Sequence, residues 1–367
     1  MISDPALASW LQLTLAPGLG AATIRKLLSQ FGLPEKVIAA NRAELARYAS
    51  AEALRALDSD AVASAVAQAL AWLEEPGNSI VTLADAAYPR LLLEITDPPA
   101  ILYCRGRTEL LNRPALALVG SRNATVQGNS NAEQFARSFS ASGLTIVSGL
   151  AQGIDAAAHR GALAGEGSTI AVLGTGADIT YPPGNAALAA EIAARGLLVS
   201  EFALGTKALA HNFPRRNRLI SGLAQGCLVI EAALASGSLI TARAAAEQGR
   251  DVFALPGSIH SPLSKGCHAL IKSGAKLVES AEDVLAELSA FRRTGFASTH
   301  AAANAGAATA GSADEPLLVC MGFDPVDVDS LCARAGLPAE KVSADLLRLE
   351  LAGRITALPG GLYQRLN

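Results

Sequence analysis

The stretch ALALVGSRNATVQGNSNAEQFARSFSASGLTIVSGLAQGID, residues 115–155, decides the fold. It holds an apolar run at residues 115–119, a glycine turn (Gly120, Ser121, Arg122), a helix-length segment, a second apolar run at 144–148 and a second glycine loop at 149–153. A strand buried on both faces reads as a continuous apolar run, whereas a half-exposed strand alternates. Strand, helix and strand in that order make a parallel pair with a right-handed crossover. The same unit recurs outward, with further apolar runs at 168–173, 197–200, 227–230, 251–255 and 276–278. The reading is an α/β protein with a doubly wound, mainly parallel sheet. Most of these runs end in a loop carrying glycine, including Gly174-Thr175-Gly176 and Pro256-Gly257-Ser258. In such sheets the carboxyl ends of the strands form the ligand crevice.

Flanking segments read differently. Residues 1–75 are expected to form an all-helical domain of the SAM-like or helix-hairpin-helix type, with helices at 6–15 and 21–31 around the turn Pro17-Gly18-Leu19-Gly20 and a long helix over 51–73. The hairpin sets its turn against a nucleic-acid backbone or is an ordinary helical hairpin. Residues 5–24 carry no charge over a membrane-spanning length, but Gln12, Thr14 and the proline–glycine turn interrupt them. They are read as two short helices, and no membrane segment is expected. Residues 76–289 contain the doubly wound unit, with extended runs at 79–83 and 100–103 leading into it. Residues 290–313, rich in Ala, Gly, Ser and Thr, are expected to be a flexible linker. Residues 314–367 read as a winged helix, with helices at 316–321, 325–335 and 339–352 and a hairpin over Pro359-Gly360-Gly361. The third of these helices sets Lys341 and Arg348 against Glu340, Asp345 and Glu350, which suits a protein contact or a structural role at least as well as DNA reading.

A net charge of −3 over 367 residues gives no global case for nucleic-acid binding. The local case rests on GTKALAHNFPRRNRLISG, residues 205–222, where Lys207, Arg215, Arg216 and Arg218 stand with no acid among them. Asn217 adds a hydrogen-bonding group and Phe213 a ring. The stretch follows the fourth parallel strand, on the same sheet edge as Arg122, Gly149, Gln152 and Gly153. Guanidinium forks, loop N–H groups and one ring suit single-stranded nucleic acid, with phosphates held by charge and bases stacked on aromatics.

Other chemistries find less. The first strand is not followed by GxGxxG, and no GxxxxGK[ST] or GxSxG occurs. His159 near Asp155 reads as a packing histidine more readily than a catalytic one. The five cysteines are scattered without a CxxC, so neither a disulfide framework nor a metal site is expected, and the compartment is read as the reducing cytoplasm. Glu231, at a strand end before Ser236-Gly237-Ser238, orders a loop or acts as an acid.

Taken together, Val119-Gly120-Ser121-Arg122, residues 148–155 with His159, Gly174-Thr175-Gly176-Ala177-Asp178 with Tyr181-Pro182, residues 213–222, Glu231-Ala232 with residues 236–238, and Gly266-Cys267 with Leu270-Ile271 resemble the DNA-processing protein A (DprA/Smf) family. That resemblance covers residues 80–290. It implies an extended Rossmann-like domain in a homodimeric protein that binds single-stranded DNA and not a dinucleotide, with neither catalytic residues nor a cofactor. Such a protein protects incoming DNA and loads RecA recombinase on it during natural transformation. It assigns Arg122 and residues 213–218 to the binding pocket and the dimer surface to the region of residues 266–275. Where some relatives carry lysines, this chain has Ala210 and Pro183, and Lys207 is the substitute for the first. The alternative is a nucleotide-processing enzyme of the nucleoside monophosphate phosphoribohydrolase type, acting through Glu231, although the PGGxGT loop of those enzymes is missing.

Overall fold

The computed structural model describes residues 5–288 and 316–366, and the expected linker at 290–313 lies outside them. Two compact units are present among the described residues, the larger holding residues 5–124 and 131–288 and the smaller holding residues 125–130 and 316–366.

The larger unit begins with six helices: α1 (Pro5–Leu15), α2 (Ala21–Phe31), α3 (Pro34–Ala39), α4 (Arg42–Leu45), α5 (Ala51–Leu57) and α6 (Asp60–Leu73). The single helix expected over 51–73 is two. The Ser59 hydroxyl accepts the Val62 N–H and caps a new helix, while Asp58 closes the preceding one. These helices bury Trp10, Leu11, Leu13, Leu27 and Trp72 together with Ile101 and Tyr103, and Trp72 meets Tyr103 edge-on at 5.9 Å. Full burial of each such side chain contributes about 1.5–3 kcal/mol.

The sheet follows as β1 (Asn78–Thr82), β2 (Ile101–Gly106), β3 (Ala115–Val119), α7 (Val126–Ala141), β4 (Thr145–Ser148), α8 (Ile154–Ala162), β5 (Thr169–Val172), α9 (Ala186–Arg195), β6 (Leu197–Ser200), α10 (Asn212–Gly222), β7 (Gly226–Val229), α11 (Ser238–Glu247), β8 (Asp251–Ala254), α12 (Lys265–Lys272), β9 (Lys276–Leu277) and α13 (Ala281–Glu287). The strand order is β1-β2-β6-β5-β4-β3-β7-β8-β9. Strands β3 to β9 pair parallel, and β1 and β2 extend the sheet antiparallel beyond β6. The doubly wound reading holds. All residues of β3, β4, β5, β6 and β7 are buried, which is why each reads as an uninterrupted apolar run. Strand order reverses at β3, which has β4 on one side and β7 on the other.

The smaller unit contains α14 (Pro316–Met321), β10 (Val326–Asp327), α15 (Val328–Ala335), α16 (Ala339–Leu351), β11 (Ile355–Leu358) and β12 (Leu362–Arg365), with its sheet in the order β10-β12-β11. It is a winged helix around Leu318, Leu331, Val342 and Leu346. Its second helix starts at Val328 and not at 325, because Val326 and Asp327 pair with β12 and the Asp327 carboxylate caps the helix by accepting the Ser330 N–H at 2.8 Å. No helix among the described residues is long and apolar enough to cross a membrane.

Candidate nucleic-acid interface

The carboxyl ends of β3, β4, β5 and β6 bring the sequence-derived site residues to one edge, beside the point where strand order reverses. The first two loops mesh there. A Cβ on Gly120 would stand 2.6 Å from Ile154 Cγ1, and one on Gly153, whose φ is +75°, would overlap the Ser121 carbonyl oxygen. The Ile154 N–H donates to that carbonyl at 3.1 Å, and the largely buried Ser121 hydroxyl accepts the Asn123 N–H. Glycine is needed at 153 because the two loops are in backbone contact there, and at 120 because the Ile154 side chain fills the space a Cβ would take.

Buried polar groups hold the second loop from beneath. Asp155 accepts the N–H of Gly149 at 3.1 Å and of Ala151 at 3.4 Å. His159 Nε2 accepts the Leu150 N–H at 3.3 Å, and Leu150 sits at φ +57°. His159 Nδ1 lies 2.7 Å from Thr169 Oγ1, whose hydroxyl donates to the Ile146 carbonyl. The imidazole therefore carries its proton on Nδ1. Burial first, then the cations Arg216 and Arg160, pull its pKa down to about 3, so it is neutral. His159 is a packing and positioning histidine. The loop N–H groups of residues 149–151, expected from the sequence to face a ligand, are spent on Asp155 and His159.

Helix α10 starts at the edge, with Pro214 in its first turn. The Asn212 amide donates to the Gly174 carbonyl at 3.1 Å, and a Cβ on Gly174 would come within 2.8 Å of the Phe213 ring. The three arginines part ways. Arg216 is 4% exposed; its guanidinium donates to the Val172 carbonyl at 2.7 Å and packs against Gly149. Burial pulls its pKa down to about 10, opposed by the Asp155 carboxylate, and burial raises that of Asp155. Arg215, half exposed, lies over the Phe202 ring at 5.4 Å and pairs with Glu201 at 3.0 Å. Arg218 pairs with the same Glu201 oxygen at 2.5 Å and donates to the Asp97 carbonyl at 2.6 Å. Asn217 reaches the Gly237 carbonyl only at 3.5 Å, and Lys207 and Gln152 are exposed.

The outward-facing part of the edge is a small platform. The Arg122 guanidinium lies 5.8 Å from the Phe213 centroid, and the Tyr181 ring, 45% exposed, lies 5.5 Å from Phe213 at an interplanar angle of 43°. Tyr181 was part of the sequence resemblance but not of the expected site. Glu201 and Asp97 were missed altogether, because both lie outside residues 205–222 and reach the arginines only through folding. Glu231 is half-buried just past the end of β7, and further along the chain the Ser236 and Ser238 hydroxyls pair with each other at 2.7 Å.

A doubly wound sheet with a platform of cation and rings at its reversal point, together with a winged helix, defines a Rossmann-like protein with an accessory winged-helix domain. Residues 79–289 match the family model of DNA recombination-mediator protein A, and residues 301–361 match the DprA winged helix domain. The chain belongs to the DNA recombination-mediator protein A family. It is 45% identical to Protein Smf of Escherichia coli over 82% of this chain and 81% of that one. A solved structure of DNA processing protein A from Streptococcus pneumoniae superposes with a TM-score of 0.64 at 39% identity, covering 78% of this chain and 99% of that one. A structure describing the single-stranded DNA binding mode of the Helicobacter pylori protein superposes with a TM-score of 0.53 at 31% identity, over 58% of this chain and 96% of that one.

Proposed function

We propose that this protein is a cytoplasmic, non-enzymatic single-stranded DNA binder, with the strand running over the carboxyl edge of β3 to β6. The observation that carries the reading is the platform of Arg122, Phe213 and Tyr181, an exposed guanidinium beside two rings at the carboxyl edge of the sheet, with Tyr181 45% exposed. Arg122 and Lys207 hold phosphates, while Phe213 and Tyr181 stack bases, which is sequence-tolerant because every base has a π-face. Gly120, Ser121, Gly149, Gln152 and Gly153 shape the surface, and Arg216 sets the depth of the pocket from inside. Asn217, Arg215 and Arg218 face the strand further along α10. The Helicobacter pylori relative, described for its single-stranded DNA binding, supports this assignment.

The family description as a recombination mediator supports the finer reading, in which a homodimer protects incoming DNA and delivers it to RecA recombinase during natural transformation. Faster assembly of RecA filaments on protein-coated strands is the expected outcome. The test of the binding site is equilibrium titration of fluorescein-labelled oligonucleotides with wild type and Arg122→Ala. Removal of Arg122 is expected to weaken binding of all sequences alike and to lower the slope of log K against log salt by about 0.7. An unchanged affinity in a folded Arg122→Ala protein removes the site from this edge.

A further inference from the structure

Residues 205–222 hold four cations and no acid, yet the fold brings acids to all three arginines of the stretch. Glu201, from the end of β6, takes Arg215 and Arg218 on one oxygen, Oε2, at 3.0 and 2.5 Å. Asp97, from the loop before β2, stands 3.7 Å from Arg218 and pairs with Arg25 of α2 at 2.6 Å. The Glu201 side chain is only 2% exposed, and its other oxygen, Oε1, is buried without a hydrogen-bond partner among the described residues. A buried carboxylate that crowds two guanidinium groups onto one oxygen and leaves the other unmatched is an imperfect acceptor for them. Arg215, by contrast, is half open to solvent, with its guanidinium 5.4 Å from the Phe202 centroid.

We propose that Glu201 is an internal substitute for phosphate: in the free protein it engages Arg215 and Arg218, and a polyanionic strand displaces it from them. The proposal rests on the single-stranded DNA reading and adds a selectivity device to it. A single phosphate group gains too little to displace a carboxylate already in place. A strand anchored at Arg122 and Phe213 presents successive phosphates at high effective concentration and does displace it. Asp97 assists from the far side of Arg218. Tyr88 and Asp97 are the other titratable groups that face Glu201 besides the two arginines. The displaced Glu201 carboxylate stays beside the strand and offsets part of the positive charge that Arg215 and Arg218 bring to it, so these two arginines add little to the salt dependence of the wild type.

The experiment measures binding of a labelled twenty-residue oligothymidylate, and elution from immobilised heparin, for the full-length wild type, Glu201→Gln, Asp97→Asn and Glu201→Gln/Arg215→Ala, with circular dichroism to establish folding. Glu201→Gln is expected to bind about fivefold tighter at low salt, from removal of one charge near the strand. Its salt slope is expected to steepen by roughly 0.7 per arginine released, and the protein to leave heparin at higher salt. The gain is roughly halved in the double variant, where Arg218 alone is released. A folded Glu201→Gln protein that binds no tighter and elutes no later overturns the proposal. Should that variant not fold, Asp97→Asn decides it, with a smaller gain expected and no gain overturning it. Failure of the wild type to bind the oligonucleotide would refute the DNA reading, and the heparin comparison would still decide whether Glu201 masks the arginines.

Discussion

Acidification is expected to unfasten the glycine loop through His159. The neutral imidazole accepts the Leu150 N–H on Nε2 and donates from Nδ1 to Thr169. A proton on Nε2 would face the Leu150 N–H donor against donor, in a site with no exposure. The folded-state pKa of about 3 lies below the ordinary value of 6.5, so the unfolded chain takes up the proton first as pH falls. The stability from this group is therefore present above pH 6.5 and is lost as pH drops toward 3. Integrating between those values, the loss from pH 7 to pH 5 is about 2 kcal/mol. Urea unfolding at pH 7, 6 and 5 reads it as a midpoint shift of roughly 0.7 M, at a slope near 3 kcal/mol/M. Far-UV circular dichroism is the suitable probe, because both tryptophans, Trp10 and Trp72, lie in the N-terminal helical core and not near the loop. Other carboxyl groups titrate over the same range, so the comparison is with His159→Gln, whose amide oxygen can still accept the Leu150 N–H but does not titrate. The variant is expected to start less stable and to lose about 2 kcal/mol less on acidification. Equal losses in the two proteins would refute the reasoning.

Two further outcomes follow from close packing at the site. Gly149→Ala puts a methyl group onto the Arg216 guanidinium, with Cζ 2.7 Å from the new Cβ, and strains the Arg216–Val172 hydrogen bond. Overpacking and the disturbed buried charge should cost about 2–4 kcal/mol, measured by denaturant unfolding. Gly174→Ala pushes the Phe213 ring away from its place beside Tyr181 and Arg122. It is expected to weaken oligonucleotide binding by about 1–3 kcal/mol in fluorescence titration, and to lose that effect against an abasic strand.

The sheet was legible because burial on both faces writes itself into the sequence. The runs at 115–119 and 197–200 are strands residue for residue. Ends of elements were less so, since they depend on capping and pairing. Ser59 divided a helical pattern that periodicity carried straight through, and β12 claimed Val326 and Asp327 from a helix. The sequence placed the basic stretch at the carboxyl edge of the sheet, where α10 begins, but counted its arginines as equivalent. The face of Arg216 could have been read: it shares a helical stripe with Asn212 and Ile220, both buried. What could not be read was the through-space arrival of Glu201, Asp97 and Asp155, because one-dimensional spacing carries no signal for an acid delivered from another strand or helix. The motif that became the second loop was recognised, but the use of its N–H groups by Asp155 and His159 depends on the packed geometry of α8.

The most direct measurement of the central claim is a competition titration at two salt concentrations. A labelled single-stranded oligonucleotide is bound to the full-length protein and displaced by unlabelled single strand, by the corresponding duplex and by an abasic single strand. The platform of Arg122, Phe213 and Tyr181 requires the single strand to compete best, the abasic strand to lose the stacking contribution, and all affinities to fall with salt. Duplex that competes as well as single strand, or an abasic strand that competes equally, would contradict the account.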